Sequence, residues 1–295
     1  MIITNNQNLP EPLVRAVRND GYSAGDADIS VTTLLRPPQM VALERSHYGE
    51  LTEDASDRIW SLVGQIGHNI IERADIDALV KEERLSIEVG GWKVSGQMDR
   101  LATYADHGEP VLEDYKFTSV WAVVFGRDEW EQQLNVYAAI LRENGYDVGA
   151  LRIVAILRDW NKREAQRKPD YPQAQVQVIP QKVWDHNKAM EFIDDRVLDH
   201  QAAREAYPHE MPECSDEDRW AKPDTWAVMK EGRKTALRVL SSEMEAYEWC
   251  GQNDHDTDPK ISVVHRPGEN VRCENYCAVK AFCPQYERMK NGTDG

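Results

Sequence analysis

Residues 91–137 read GWKVSGQMDRLATYADHGEPVLEDYKFTSVWAVVFGRDEWEQQLNVY. Two β-like runs, Trp92–Thr103 and Pro110–Phe117, each deliver acid toward one end: Asp99 in the first, Asp114-Tyr115-Lys116 in the second. A third run, Arg84–Val89, precedes them. Gly90-Gly91 and Asp106-His107-Gly108 carry turn chemistry, so the three runs read as an antiparallel meander with Asp99 and Asp114 on adjacent strands. A helix over Glu129–Glu143 follows, with Leu134, Val136, Ala138, Ile140 and Leu141 apolar and Gly145 ending it. Leu151–Leu157 (LRIVAIL) then reads as a buried interior strand reached by a crossover. This order predicts an α/β fold, a central mixed β-sheet flanked by helices.

Upstream, residues 1–27 show little periodicity and read as an irregular lead-in. Ser30 is a good helix cap, and the helix it starts is broken at Pro37-Pro38. A longer helix covers about Ser56–Asp75, with Ile59, Leu62, Val63, Ile66, Ile70 and Ile71 as its apolar stripe. Downstream come a basic loop over 158–172, a strand over Gln175–Ile179 and a long helix from Gln181 to about Ala206. Beyond His209 the chain becomes rich in Trp, Pro and charge, with a β-like run at Thr235–Leu240 and a helix at Ser242–Cys250. The expected organisation is a lead-in over 1–27, a core over 28–208 and a small cysteine-rich C-terminal subdomain over 209–295.

The net charge of −16 weighs against a nucleic-acid partner when taken as a sum. Local sums differ: Arg158–Lys168 and Lys222–Arg238 each hold five Lys/Arg against two acids. There is no run of 18 apolar residues, and MIITNNQNLPEPL lacks a basic region followed by an apolar one. The expectation is a cytoplasmic protein with no membrane partner.

Hydrolysing a phosphodiester needs an activated water, a polarised phosphate and a stabilised leaving oxygen. Carboxylate-held Mg²⁺ or Mn²⁺ supplies all three. Asp99 and Asp114 are the candidate ligands, with the Tyr115 carbonyl as a further oxygen. Lys116, two residues beyond Asp114, shares its face of the strand and would orient the water or offset transition-state charge. Glu113 points to the other face. D-x-K at a strand end serves equally well as a salt-bridged surface; Asp99 next door, and Gln133 and Tyr137 on one helix face, favour a site. His68 and Glu72, four apart, share a face of the earlier helix.

The ordered set Gly67-His68, Gly96-x-x-Asp99, Asp114-Tyr115-Lys116 and Gln133-x-x-x-Tyr137 resembles the RecB-type branch of the PD-(D/E)XK nuclease superfamily. That branch includes phage exonucleases and CRISPR-associated adaptation nucleases. The resemblance spans about residues 28–160 and implies a restriction-endonuclease-like core. It implies that His68 is an additional metal ligand, Asp99 and Asp114 the acidic ligands, and Lys116 the catalytic lysine. Gln133 and Tyr137 would contact DNA or order the site.

Five cysteines are present, three of them crowded as Cys273-x3-Cys277-x5-Cys283. In a reducing compartment such spacing suits a metal or cluster better than disulfides. Several RecB-type nucleases hold a [4Fe–4S] cluster through three C-terminal cysteines and one distant one; structural Zn²⁺ is the alternative. The resemblance departs from the adaptation nucleases at Arg36, which stands roughly where their distant cysteine lies, so the fourth ligand is Cys214 or Cys250, with Cys214 preferred.

The function so implied is a Mg²⁺/Mn²⁺-dependent DNA exonuclease of recombination or repair, phage or bacterial, working in the bacterial cytoplasm. Its partner would be single-stranded DNA or a duplex end. No G-x-x-x-x-G-K-[ST] phosphate loop occurs, so any unwinding falls to a separate helicase or recombination partner. An endonuclease on the same fold and a non-catalytic DNA-binding scaffold are the alternatives.

Overall fold

The computed structural model describes residues 1–19, 25–74, 77–104, 108–206, 210–253, 255 and 258–291. Asp106 and His107 of the second expected turn, His209 at the expected boundary and part of the acidic loop Asn253–Asp258 lie outside them. The chain divides into two compact units, Met1–Pro212 and Glu213–Gly295. The division falls four residues beyond the expected boundary. Among the described residues no helix is long and apolar enough to cross a membrane.

In chain order the first unit contains β1 (Ile2–Thr4), α1 (Glu11–Arg18), β2 (Ile29–Ser30), α2 (Val31–Leu34), α3 (Pro38–Ser46), β3 (Thr52–Asp54) and α4 (Ile59–Ala74). It continues with β4 (Val80–Val89), β5 (Trp92–Thr103), β6 (Pro110–Thr118), α5 (Val120–Val124), α6 (Asp128–Glu143), β7 (Ala150–Leu157), α7 (Lys162–Arg167), β8 (Val176–Gln181) and α8 (His186–Glu205). The result is an α/β protein whose six-stranded mixed sheet is flanked by helices. The lead-in is more ordered than its sequence suggests. β1 pairs in parallel with β3, Ile2 opposite Thr52, and α1 buries Val14 and Val17 against Ala55. A three-residue strand and an eight-residue helix are too short to show a period.

The sheet runs β2-β5-β6-β7-β8, and β4 lies along the other edge of β5. The β4–β5 hairpin turns through Gly90 and Gly91, both at positive φ (56° and 77°), as the two-residue turn requires. β6 and β7 are parallel, joined by a crossover through α6, and β8 returns antiparallel to β7. Residues 133–141 of α6 are all buried, so this helix lies inside the fold rather than on it. Leu134, Ile140, Ile153, Leu157 and Ile193 are closed to solvent in one core.

Two helix starts correct the sequence reading. Gln181 ends β8, and α8 begins at His186, where the Asp185 side chain accepts from the Asn187 amide. The basic loop contains α7, capped by the Asn161 side chain. The apolar stripe of α4 also faces elsewhere than expected: Val63, Ile66 and Ile70 are exposed. The helix leans on the sheet through Gly67, where a Cβ would run into the Phe117 ring. On the far side, α8 closes the end of α2, with Arg196 (3.0 and 2.9 Å) and His200 (3.0 Å) on the Leu34 carbonyl.

That glycine contact yields a first test. Gly→Ala in an exposed helix normally stabilises by about 1 kcal/mol. Gly67→Ala is expected to do the opposite, costing roughly 1–3 kcal/mol through overpacking against Phe117. Urea unfolding of the two proteins measures the sign.

The second unit contains α9 (Asp216–Arg219), β9 (Ala221–Lys222), β10 (Thr225–Lys230), β11 (Arg238–Leu240), α10 (Glu243–Gln252), β12 (Ile261–Arg266), β13 (Glu269–Asn270), α11 (Val271–Asn275) and α12 (Pro284–Asn291). An antiparallel sheet β11-β10-β12 packs on α10 around Val228, Ala246 and Cys250.

Candidate metal centre

Strand pairing opens the site. Ser95 of β5 pairs with Ser86 on one edge and Ser30 on the other; Arg100 pairs with Lys81 on one edge and Glu113 on the other. β2 and β6 therefore share one edge of β5, and neither pairs with the stretch Gly96–Asp99 between them. Asp99 itself takes the next place in the ladder: its Oδ2 accepts the Tyr115 amide at 2.7 Å. β5 and β6 part company at this point, and a cleft of about 840 Å³ opens, lined by Val31, Gln65, Glu82, Asp99, Asp114 and Lys116 among others.

From α4, His68 reaches into the cleft, its ring tilted against Phe117 with centroids 5.9 Å apart. Its Nδ1 lies 3.4 Å from Asp99 Oδ1 and 3.5 Å from Glu82 Oε1. Among the described residues, His68, Glu82 and Asp99 are the group of three or more potential metal ligands whose donor atoms fall within 4.8 Å of one another. Glu82 was not foreseen from the sequence. It lies at positive φ (46°) in β4, opposite Asp99 in an unbroken register flanked by Lys81↔Arg100 and Glu83↔Met98. The left-handed backbone at Glu82 interrupts the ladder at this one pair, and its carboxylate falls beside His68 and Asp99. The one legible signal is the charged run Lys81-Glu82-Glu83-Arg84, where β alternation fails.

Asp114 is 3% exposed. Lys116 Nζ stands 2.7 Å from its Oδ2, but off the direction of a hydrogen bond, so this buried oxygen is left without a hydrogen-bond donor among the described residues. Lys116 Nζ donates instead to Gln133 Oε1 (3.0 Å), and Gln133 Nε2 donates to the Tyr137 hydroxyl (2.9 Å). The Tyr137 ring lies where a Cβ on Gly96 would sit, 2.7 Å away, which explains the glycine of Gly96-x-x-Asp99.

Every sequence-predicted residue of the cleft is brought together: His68, Asp99, Asp114, Lys116, Gln133 and Tyr137. Tyr115 takes part through its amide, the group that meets Asp99. Glu72 lines the cleft on the His68 face. Glu113 is elsewhere, buried and held by Arg100 (2.7 Å), Arg152 (2.6 Å) and the Tyr104 hydroxyl (2.8 Å).

The electrostatics follow from three carboxylates gathered around one imidazole and one ammonium. Hydrogen bonding of His68 to the Asp99 carboxylate, and then to that of Glu82, raises its pKa to about 10, so that imidazolium supplies positive charge between two carboxylates. Burial raises Asp114 to about 6; the Asp99 charge adds to the rise and Lys116 opposes it. Two acids and an imidazole, together with a buried acid oxygen lacking a donor, form a donor set that fits a hard divalent ion.

In the metal-free protein, folded His68 titrates at about 10 against 6.5 unfolded, so its contribution to stability is complete below pH 6.5 and is lost as pH rises through 10. Asp114 behaves alike over a lower range, its contribution complete below pH 3.8 and lost by about pH 6. The melting temperature of the metal-free protein relative to His68→Gln is therefore expected to be highest below pH 6.5 and to shrink toward pH 10. Calorimetry of both proteins across that range checks the sign. Mn²⁺ should stabilise the wild type more as pH rises, because the metal competes with the His68 proton.

In the second unit, the Cys214 amide donates to Gln285 Oε1 and Gln285 Nε2 donates back to the Cys214 carbonyl, both at 2.9 Å. This exchange ties the Cys214 loop to the segment that follows Cys283. Burial first, then Asp218, and then Cys283, Cys273 and Cys277 push the Cys214 thiol up to about 12, so these four sulfurs share one electrostatic neighbourhood. The Tyr286 amide points at Cys283 Sγ, 3.4 Å away. Cys250 lies apart from them in the apolar cluster with Val228 and Ala246.

No family model and no curated protein matches the chain. Among solved structures it is similar to one titled "Crystal structure of SSO0001", at a TM-score of 0.42 and 20% identity over 63% of this chain and 83% of that one. A likeness that distant carries no weight for function.

Proposed function

We propose that the chain is a Mg²⁺/Mn²⁺-dependent deoxyribonuclease of the PD-(D/E)XK type, acting as an exonuclease on DNA. The observation that carries this reading is the convergence of His68, Glu82, Asp99, Asp114 and Lys116, drawn from four separate elements, on one cleft. His68, Glu82, Asp99 and Asp114 would hold the ion. When bound, it supplies a Lewis acid for the phosphate and acidifies water.

The remaining work belongs to the side chains. Lys116 is held by Asp114 and Gln133 with its ammonium facing the cleft, where it offsets charge that builds on the phosphoryl oxygens. Tyr137 fixes Gln133, so Lys116 is oriented before substrate arrives. Asp99 couples the ion site to the Tyr115 amide and hence to the position of β6. An acidic cleft repels phosphate until a cation neutralises it, which makes DNA binding in the cleft metal-dependent.

For the second unit, the proposal is a [4Fe–4S] cluster held by Cys214, Cys273, Cys277 and Cys283. The four sulfurs share one electrostatic neighbourhood, which supports a common thiolate-held centre; structural Zn²⁺ is the alternative occupant.

Linear and circular DNA with Mn²⁺ form the test. Cleavage of the linear form alone is the expected result. Cleavage of closed circles would make the enzyme an endonuclease, and no cleavage of either would leave a DNA-binding scaffold.

A further inference from the structure

Beyond the cleft, a cluster of exposed aromatic rings stands next to exposed positive charge. Trp60 is 57% exposed, Trp121 56% and Phe125 79%, although rings of this size are normally covered. Trp121 and Phe125, on and just beyond α5, stack on each other at 5.7 Å with 20° between their planes. Trp60, at the second position of α4, carries the Arg158 guanidinium over its face at 4.3 Å. The backbone joins the two pairs: the Arg158 amide donates to the Thr118 carbonyl (2.9 Å), and the Val120 amide donates to Asp159 Oδ1 (2.7 Å).

The cluster is also continuous with the cleft. Ser61, beside Trp60 in the chain, is part of the cleft wall, and Thr118 is two residues beyond Lys116 on β6. Along α4, Trp60 lies eight residues from His68, about 12 Å of helix. Charge selects the occupant. Arg158, Lys162, Arg163, Arg167 and Lys168 are exposed in the segment that Arg158 opens; Glu164 pairs with Lys168 (2.8 Å) and Arg167 (3.7 Å), and the segment stays net positive in a chain of net charge −16. The nearest acid, Asp159, is occupied by the Val120 amide. Exposed ring faces next to guanidinium groups match unpaired bases on a phosphate backbone, since a base inside a duplex has no free face to stack.

We propose that Trp121, Phe125 and Trp60, with Arg158, form a stacking platform for single-stranded DNA at the end of the cleft. The strand that occupies the cleft is then unpaired where it passes this edge. This rests on the nuclease reading and adds to it the form of the substrate.

The test measures binding of a fluorescent 20-nucleotide oligo(dT) and of a 20-base-pair duplex to the full-length protein. Ca²⁺ replaces Mg²⁺ and Mn²⁺ throughout, so that the cleft is neutralised and neither probe is consumed. Trp121→Ala/Phe125→Ala is expected to weaken oligo(dT) binding roughly 5- to 100-fold, the range of a lost base–aromatic stack, and to change duplex binding little. Trp121→Tyr/Phe125→Tyr should retain most of the affinity, which separates stacking from a merely structural role. An oligomer of abasic sites should bind the parent as weakly as oligo(dT) binds the alanine variant. Equal oligo(dT) affinity in parent and alanine variant would overturn the platform; Mn²⁺-dependent cleavage by the wild type would then leave the nuclease reading standing. A wild type that neither binds nor cuts DNA would overturn both.

Discussion

Asp114→Asn is expected to abolish DNA cleavage, with a loss on the order of 10²–10³ or more, the scale of removing one preorganised charge from a water-poor site. Three observations set this scale. Asp114 is among the most buried charged groups of the chain, its Oδ2 has no hydrogen-bond donor among the described residues, and it positions Lys116. Asparagine keeps the shape and removes the charge that both Lys116 and a divalent ion need. The loss should fall on kcat, since Asp114 lies beneath the cleft and acts through Lys116 and the ion. Stability should respond differently. Asparagine removes a carboxylate that burial disfavours in its charged form, so the metal-free variant should not show the stability lost by the wild type between pH 3.8 and about 6. Mn²⁺ should raise the melting temperature of the wild type well above that of the variant. Single-turnover cleavage and calorimetry on the same preparations measure both effects.

With the proposed thiolate-held centre in the second unit, Cys214→Ala is expected to abolish its metal content and unfold the unit, whereas Cys250→Ala should keep that content. The contrast follows from their surroundings. Cys214 shares its electrostatic neighbourhood with Cys273, Cys277 and Cys283, and its backbone is tied to Gln285. Cys250 is packed among apolar side chains, where its loss would leave a small cavity at a cost of about 1 kcal/mol. Binding energy for a thiolate-held metal is folding energy, on the order of 10 kcal/mol, so losing one of four ligands outweighs any packing term. Iron and zinc content, visible absorbance and limited proteolysis of Glu213–Gly295 report the outcome. Cys277→Ala should behave like Cys214→Ala.

The parts of the site legible from sequence are those governed by regular periods. Asp114 and Lys116 share a strand face because alternation has a period of two, and Gln133 and Tyr137 share a helix face because they are four apart. His68 was legible only in company, since a single helical histidine has no pattern of its own. Glu82 was hidden because the charged run Lys81-Glu82-Glu83-Arg84 has no apolar–polar alternation, and the expected strand began at Arg84, four residues after β4 starts at Val80. The outward turn of Val63, Ile66 and Ile70 was hidden for a related reason: an apolar stripe says that a face is apolar, while the glycine at 67 decides which face meets the sheet. The start of α8 was misplaced because β8 carries Pro180 and runs on to Gln181 before Asp185 caps the helix.

The most direct measurement pairs metal occupancy with cleavage. Chelator-stripped protein is titrated with Mn²⁺, bound Mn²⁺ is followed by electron paramagnetic resonance, and release of nucleotides from end-labelled linear DNA is followed in the same samples. Cleavage should be absent without metal and should rise in step with occupied sites, and both signals should weaken together in Asp99→Asn and Glu82→Gln. Cleavage in the absence of bound Mn²⁺, or full Mn²⁺ occupancy with intact DNA, would contradict a metal-centred nuclease built on His68, Glu82, Asp99 and Asp114.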